Sequence, residues 1–144
     1  MIVTARLTFS AAHRLHNPDR DAAWNLGVYG KDNNPAGHGH NYVITVSVKG
    51  TVNPETGMVI DLRELKDIVR REIIEYVDHN NLNEDVPFLR GIIPTAENMA
   101  RAFWQQLAPK IRGAELVEIV LHETEKNSVV YRGEDEIPAP AIES

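Results

Sequence analysis

The sequence predicts an α+β protein: an antiparallel sheet of four main strands with two helices packed on one face. Three observations carry that prediction. Apolar residues alternate with polar ones near the N-terminus and again near the C-terminus. Two central segments repeat their apolar residues at helical spacing. Strands at both ends with helices between them give the order β, β, short β, α, α, β, β, which suggests an antiparallel sheet covered on one face by the two helices.

Each element follows from its own pattern. Over residues 2–12, Val3, Ala5, Leu7, Phe9 and Ala11 share one side, because strand side chains repeat every second residue. Residues 14–37 are rich in Asn, Asp, Gly and Pro and predict a long loop, of the kind that carries function. Residues 38–50 predict a second strand with Tyr42, Ile44, Val46 and Val48 on one side. The run Asn53-Pro54-Glu55-Thr56-Gly57 signals a turn, with a short strand expected at 58–60. A helix is predicted over 61–77, with Leu62, Leu65, Val69, Ile73 and Tyr76 on one face and Asp61 with Glu64 as a capping box. A second loop spans 78–94. Thr95 then caps another helix, with Met99, Phe103 and Leu107 on its apolar side and Pro109 near its end. Residues 115–123 and 127–132 predict a hairpin. From residue 134 the sequence is acidic and Pro-containing, a tail beyond a single domain at 1–133, and its end is expected to be loose.

Composition bounds the function. A length of 144 residues suits one domain, and 42% hydrophobic with 25% charged residues is ordinary for a globular core. The formal charge of −6 argues against a general nucleic-acid binder, which needs a basic face. With no cysteine, disulfides, zinc ribbons and thiol nucleophiles are excluded. The apolar runs are too short to span a bilayer, and the N-terminus lacks a signal-peptide pattern, so a cytoplasmic location is expected.

The chemistry gathers around histidine. His38-Gly39-His40 places two imidazoles on one side of the second strand, the side continued by Tyr42 and Ile44. His13 prolongs the apolar side of the first strand. If these strands pair antiparallel, three imidazoles converge at one edge of the core. Three nitrogen ligands with an open position is the usual form of a catalytic zinc site; the competing reading is ordinary polar loop residues. Asp78-His79 follows the first helix and reads either as an acid/base pair or as a histidine favoured at a helix C-terminus. Glu123 ends the row Val117, Ile119, Leu121. It reads either as emerging into solvent or as a carboxylate awaiting a ligand with two adjacent N–H donors. Glu97 lies in the first turn of the second helix, where acidic residues are favoured anyway. His16 and His122 are expected at the surface.

Taken together these motifs resemble the 6-pyruvoyltetrahydropterin synthase family, which includes 6-carboxytetrahydropterin synthase of queuosine biosynthesis. The resemblance covers roughly residues 5–133. It rests on Phe9-Ser10-Ala11-Ala12-His13-Arg14-Leu15, on Tyr29-Gly30-Lys31, and on Asn33-Asn34-Pro35 before Gly37-His38-Gly39-His40-Asn41-Tyr42. In the same order follow Asn53-Pro54-x-Thr56-Gly57-Met58-Val59, Asp78-His79-x-Asn81-Leu82, Thr95-x-Glu97-Asn98 and Glu123-Thr124. The Asn-Asn-Pro form is most similar to the branch that serves tetrahydrobiopterin biosynthesis.

The resemblance implies a tunnelling fold, in which three subunits join their sheets into a barrel and two trimers stack as a homo-hexamer with active sites between subunits. It implies that His13, His38 and His40 bind Zn2+, which would hold the side-chain oxygens of 7,8-dihydroneopterin triphosphate and acidify neighbouring C–H bonds. Glu123 would anchor the pterin, Thr95 and Glu97 would help hold the ring, and Asp78 with His79 would transfer protons. The implied reaction is elimination of triphosphate by a carbon–oxygen lyase, with internal redox rearrangement and no nicotinamide or flavin. Asp32 stands where the family carries its catalytic cysteine, and Ala96 replaces the second of two threonines often found there. An ordinary aspartic acid titrates near 4, so burial would be needed to make a carboxylate as strong a base as the thiolate it replaces, and a nearby zinc would oppose that rise. The alternatives are a carboxypterin-forming enzyme, an enzyme cleaving the side chain to a 6-hydroxymethylpterin, a catalytically silent pterin binder, and a histidine-ligated zinc hydrolase of unrelated fold.

Overall fold

A computed structural model describes residues 1–136 of the protein. Four antiparallel strands lie in sequence order: β1 (Ile2–His13), β2 (His38–Lys49), β3 (Glu115–His122) and β4 (Ser128–Tyr131). The β1–β2 register pairs Ile2 with Lys49 at one end and His13 with His38 at the other. Alternation then does what the sequence asks of it. Ala5, Leu7, Phe9 and Ala11 on β1, and Tyr42, Ile44, Val46 and Val48 on β2, are all buried on one face. Phe9 stacks on Tyr42 with ring centroids 4.7 Å apart, a cross-strand aromatic pair set by their register.

The helices α2 (Leu62–Val69), α3 (Glu75–Val77) and α4 (Ala96–Leu107) cover that face. Leu65, Val69, Ile73 and Val77 are fully buried, four residues apart each time. An α-helix turns every 3.6 residues, so a strict four-residue spacing drifts off the core. A π-helical stretch, Arg70–Ile74, offsets the drift and joins α2 to α3. Leu62, the first residue of α2, and Tyr76, which follows the π-helical stretch, are exposed although both are expected on the buried face. Asp61 caps α2 through Arg63 N–H at 2.9 Å and pairs with its guanidinium, so the expected partnership with Glu64 gives way to Arg63. On α4, Met99, Phe103 and Leu107 are fully buried as predicted. Burying each such residue stabilises the fold by about 1.5–3 kcal/mol.

Three further expectations are corrected. The long loop at 14–37 contains a helix, α1 (Ala22–Tyr29), followed by a 3-10 turn at Gly30–Asn33. The turn at 53–57 forms, but residues 58–60 find no partner strand and are irregular. The β2–β3 register shifts between Ser47 and Val48, so Leu116 rather than Val117 enters the core opposite Val48. The expected loose end of the tail, over 137–144, lies outside the described residues. Among the described residues no helix is long and apolar enough to cross a membrane.

One connection positions the site. After α3, residues 78–82 run along the outer edge of β1. His79 N–H donates to Ser10 O at 2.6 Å, Ala12 N–H to Asn80 O at 3.1 Å, and Leu82 N–H to Ala12 O at 2.8 Å. These bonds occupy the part of the β1 edge nearest His13.

Candidate metal centre

Pairing of β1 with β2 sets His13 opposite His38 and Ala11 opposite His40. All three imidazoles therefore stand on the core face at one end of the sheet. One nitrogen from each lies within 4.8 Å of the others, and the Nε2 atoms of His13 and His38 are 3.1 Å apart. His13 is 1% exposed, and its Nδ1 lies 2.8 Å from Pro94 O. A carbonyl can only accept, so Nδ1 carries the proton and Nε2 presents its lone pair to the cluster. Burial lowers the His13 pKa to about 4, against the hydrogen bond to Pro94, and His38 and His40 push it the same way. The ring is therefore neutral at pH 7, the form that ligates metal. His38 Nδ1 and His40 Nε2 are buried without a hydrogen-bond partner. Buried polar atoms are almost always satisfied. An orphaned Nε2 on His40 beside the lone pair of His13 fits a cation that the three rings could hold.

Two carboxylates flank the cluster. Asp32, in the 3-10 turn after α1, sets Oδ1 3.6 Å from His38 Nε2, and its side chain is 57% exposed. Glu123, at the mouth of the β3–β4 hairpin, sets Oε1 3.7 Å from His40 Nε2 and is 25% exposed. It does not run out into solvent. Its backbone N–H donates to Asn127 O, and Thr124 Oγ1 accepts from Lys126 and Asn127 N–H to close the turn. The buried Tyr42 hydroxyl is held far above its ordinary pKa by burial and then by the Glu123 charge.

Asp78 and His79 form a pair of their own, with His79 Nδ1 3.0 Å from Asp78 Oδ2. Asp78 Oδ1 accepts Ser10 N–H at 2.9 Å, and that bond, ahead of the contacts with His79, holds the carboxyl below its usual range. His79 has φ +60°, a left-handed conformation costly for a non-glycine residue. Its side chain is 82% exposed. It shares with His40 the lining of a cavity of about 430 Å³ at the β1 edge. Thr95 caps α4 by accepting Asn98 N–H at 3.2 Å, directly after the Pro94 that orients His13. Glu97 is exposed in the first turn of α4, and among the described residues it makes no ion pair. Of the two histidines expected at the surface, both are half-buried. His16 is anchored by Asn33 at 3.0 Å, a contact across 17 residues that no local pattern announces.

The fold and the cluster define a class: small α+β proteins whose four-stranded sheet gathers three histidines at one end, beside two carboxylates. The sequence matches the family described as 6-pyruvoyl tetrahydropterin synthase over residues 2–134. A protein of Poecilia reticulata named 6-pyruvoyl tetrahydrobiopterin synthase is 46% identical over 92% of this chain and 90% of its own length. The protein of that name from Homo sapiens is 42% identical over 92% and 91%. The structure of Caenorhabditis elegans 6-pyruvoyl tetrahydropterin synthase superimposes with a TM-score of 0.84 at 40% identity, over 92% of this chain and 96% of that one. The chain belongs to the 6-pyruvoyl tetrahydropterin synthase family, and its sheet and helices are those of the tunnelling fold.

Proposed function

We propose that the protein is a zinc-dependent lyase that eliminates triphosphate from 7,8-dihydroneopterin triphosphate, with Asp32 in the place of the family's catalytic cysteine. The observation that carries this reading is the convergence of one nitrogen each from His13, His38 and His40 to within 4.8 Å, with His40 Nε2 buried and lacking a hydrogen-bond partner. The donor set suits the ion. Nitrogens about 2.0–2.1 Å from a tetrahedral zinc lie about 3.3 Å apart, and His13 and His38 Nε2 stand 3.1 Å apart. Bound there, zinc would polarise the substrate's side-chain oxygens and acidify the adjoining C–H bonds.

The protein's own residues supply the rest. The bond to Pro94 fixes the His13 tautomer. Half-buried Glu123 accepts the paired N–H groups of the pterin, the contact that orients the ring. Thr95 and Glu97, at the start of α4, help hold that ring. Asp32 stands at the metal's flank to take a proton from the substrate carbon next to the ring, and a carboxylate there is a weaker base than a thiolate. Asp78 holds His79 at Nδ1 and leaves Nε2 to exchange protons. Because His79 is turned to solvent, it serves a site completed by another copy. The outer edges of β1 and β4 suit that assembly: pairing them between three copies would close the sheets into a barrel, and two trimers would stack as a hexamer.

The exposure of Asp32 favours one second reading, a pterin binder without turnover. Mass spectrometry of the products formed by zinc-loaded protein from 7,8-dihydroneopterin triphosphate separates the two. A pyruvoyl product with released triphosphate supports the lyase. A hydroxymethyl or carboxy product replaces it with side-chain cleavage or the carboxypterin branch, and tight binding of unchanged substrate leaves the binder.

A further inference from the structure

We propose that a recess of about 330 Å³, walled by Arg14, His16, Gly37 and Asn83 and so lined by the chain neighbours of His13 and His38, seats the oligophosphate of the substrate. The proposal rests on the substrate read above. The volume falls in the range of about 300–1,000 Å³ typical of small-molecule sites. Its position is set by the sequence: Arg14 directly follows His13, and Gly37 directly precedes His38. The recess thus opens one residue from a histidine on each of the two paired strands.

Its donors are fixed in advance. Asn83 grips the backbone of Arg14 twice, accepting its N–H through Oδ1 and donating to its carbonyl through Nδ2, each at 2.8 Å. Arg14 Nε donates to Asn33 O at 2.8 Å. That leaves the two Nη groups, and among the described residues no carboxylate pairs with them; Glu84 lines the recess without reaching the guanidinium. Asn33 Nδ2 donates both to Leu15 O at 2.8 Å and to His16 Nδ1 at 3.0 Å. The first bond fixes which end of the amide carries hydrogen, so Nδ1 of His16 must accept, and its proton lies on Nε2. His16 is therefore a donor even as a neutral ring. A guanidinium with free, planar N–H groups beside an imidazole N–H is suited to phosphate oxygens.

Asn33 adjoins Asp32, so one 3-10 turn serves both ends of the elimination. The C–O bond to the triphosphate breaks with its electron pair passing to the departing oxygen. The proton leaving the neighbouring carbon passes to the base. Charge grows on the departing oxyanion, and donors already in place stabilise it without reorganising.

The test is calorimetric titration of the full-length protein with inorganic tripolyphosphate, without added metal so that chelation contributes no heat. Arg14→Gln is expected to weaken binding by about tenfold or more, and added salt to weaken wild-type binding. Arg14→Lys, which keeps the charge and loses the fork, falls between. His16→Ala repeats the comparison should Arg14→Gln fail to fold. Binding of 7,8-dihydroneopterin, which lacks the phosphates, stays as in wild type. Tripolyphosphate affinity unchanged in Arg14→Gln and His16→Ala overturns the proposal, as does an equal loss for dihydroneopterin. The two readings fail separately. Arg14-dependent tripolyphosphate binding without turnover keeps the recess and removes the lyase. Turnover with an unchanged KM in Arg14→Gln keeps the lyase and removes the recess.

Discussion

Asn25 is the fully buried polar residue of α1, and replacing it tests how the 14–37 segment is held. Its Oδ1 accepts Asn17 N–H at 2.7 Å. Its Nδ2 donates to Asn17 O at 3.0 Å, Arg20 O at 3.2 Å and Asp21 O at 2.9 Å. One residue thus satisfies the backbone of the turn that leads into α1. Asn25→Ala removes all four contacts and leaves Asn17 N–H without its acceptor. At about 0.5–1.5 kcal/mol net for each bond, softened where water can enter, the expected loss is about 2–3 kcal/mol. With an m-value of about 1–3 kcal/mol/M, the urea midpoint falls by about 1 M or more. Asn25→Asp is the sharper variant because it keeps the shape. It still accepts Asn17 N–H, but it faces three carbonyl oxygens with a negative charge, and at pH 7 it is expected to cost at least as much as alanine. Those carbonyls raise the folded pKa of the new carboxyl above its unfolded value near 4. Its penalty is therefore fully present above the raised folded pKa and disappears as pH falls through the unfolded one. Urea unfolding of the three proteins at pH 7 and pH 4 measures this. A loss below about 0.5 kcal/mol for alanine, or an aspartate variant as stable as wild type at pH 7, would refute the reasoning.

Three predictions concern the site. His38→Ala is expected to abolish metal binding and turnover together while the protein still folds, since His38 lies at the half-buried end of β2; elemental analysis finding stoichiometric metal would contradict the ligand assignment. Glu123→Gln is expected to weaken pterin binding by about tenfold or more, the loss of a charge-assisted pair, with metal content unchanged; unaltered pterin affinity removes Glu123 from the site. Asp32→Cys is expected to raise turnover of 7,8-dihydroneopterin triphosphate, because a thiolate replaces a weaker base at the same place; no gain in a steady-state assay means that Asp32 is not the limiting base.

The sequence disclosed what depends on short repeats and hid what depends on distant partners. His13, His38 and His40 were legible because a period of two along each strand assigns every residue to a face once the core face is known, and the β1–β2 pairing adds only a register. Glu123 was legible through Ile119 and Leu121, which lie beyond the bulge that displaced Val117. The helix α1 was not, because helices are usually recognised by an apolar stripe, and this one buries Asn25 while Leu26 and Val28 are exposed. Its remaining signals were terminal: Asp21 accepting Trp24 N–H at the start and Gly30 with φ +56° at the end. Residues 58–60 carried strand-like side chains but needed a partner strand. The Arg14, Asn33 and His16 array joins residues up to 19 apart through bonds from side chains to the backbone and to one another, which leave no periodic trace.

His79 shows how the two kinds of information meet. Its identity and its pairing with Asp78 are local, but its placement comes from the bond its backbone makes to Ser10 across 69 residues. That bond ties a strained, solvent-facing histidine to the same strand that carries His13 three residues on. Strain of this kind persists where surrounding structure over-determines it, and here three backbone bonds to β1 do so. An ordinary helix C-terminus would need none of them. The edge therefore holds His79 out to solvent at a fixed height relative to the histidine cluster, as the proton-carrier role proposed for it requires.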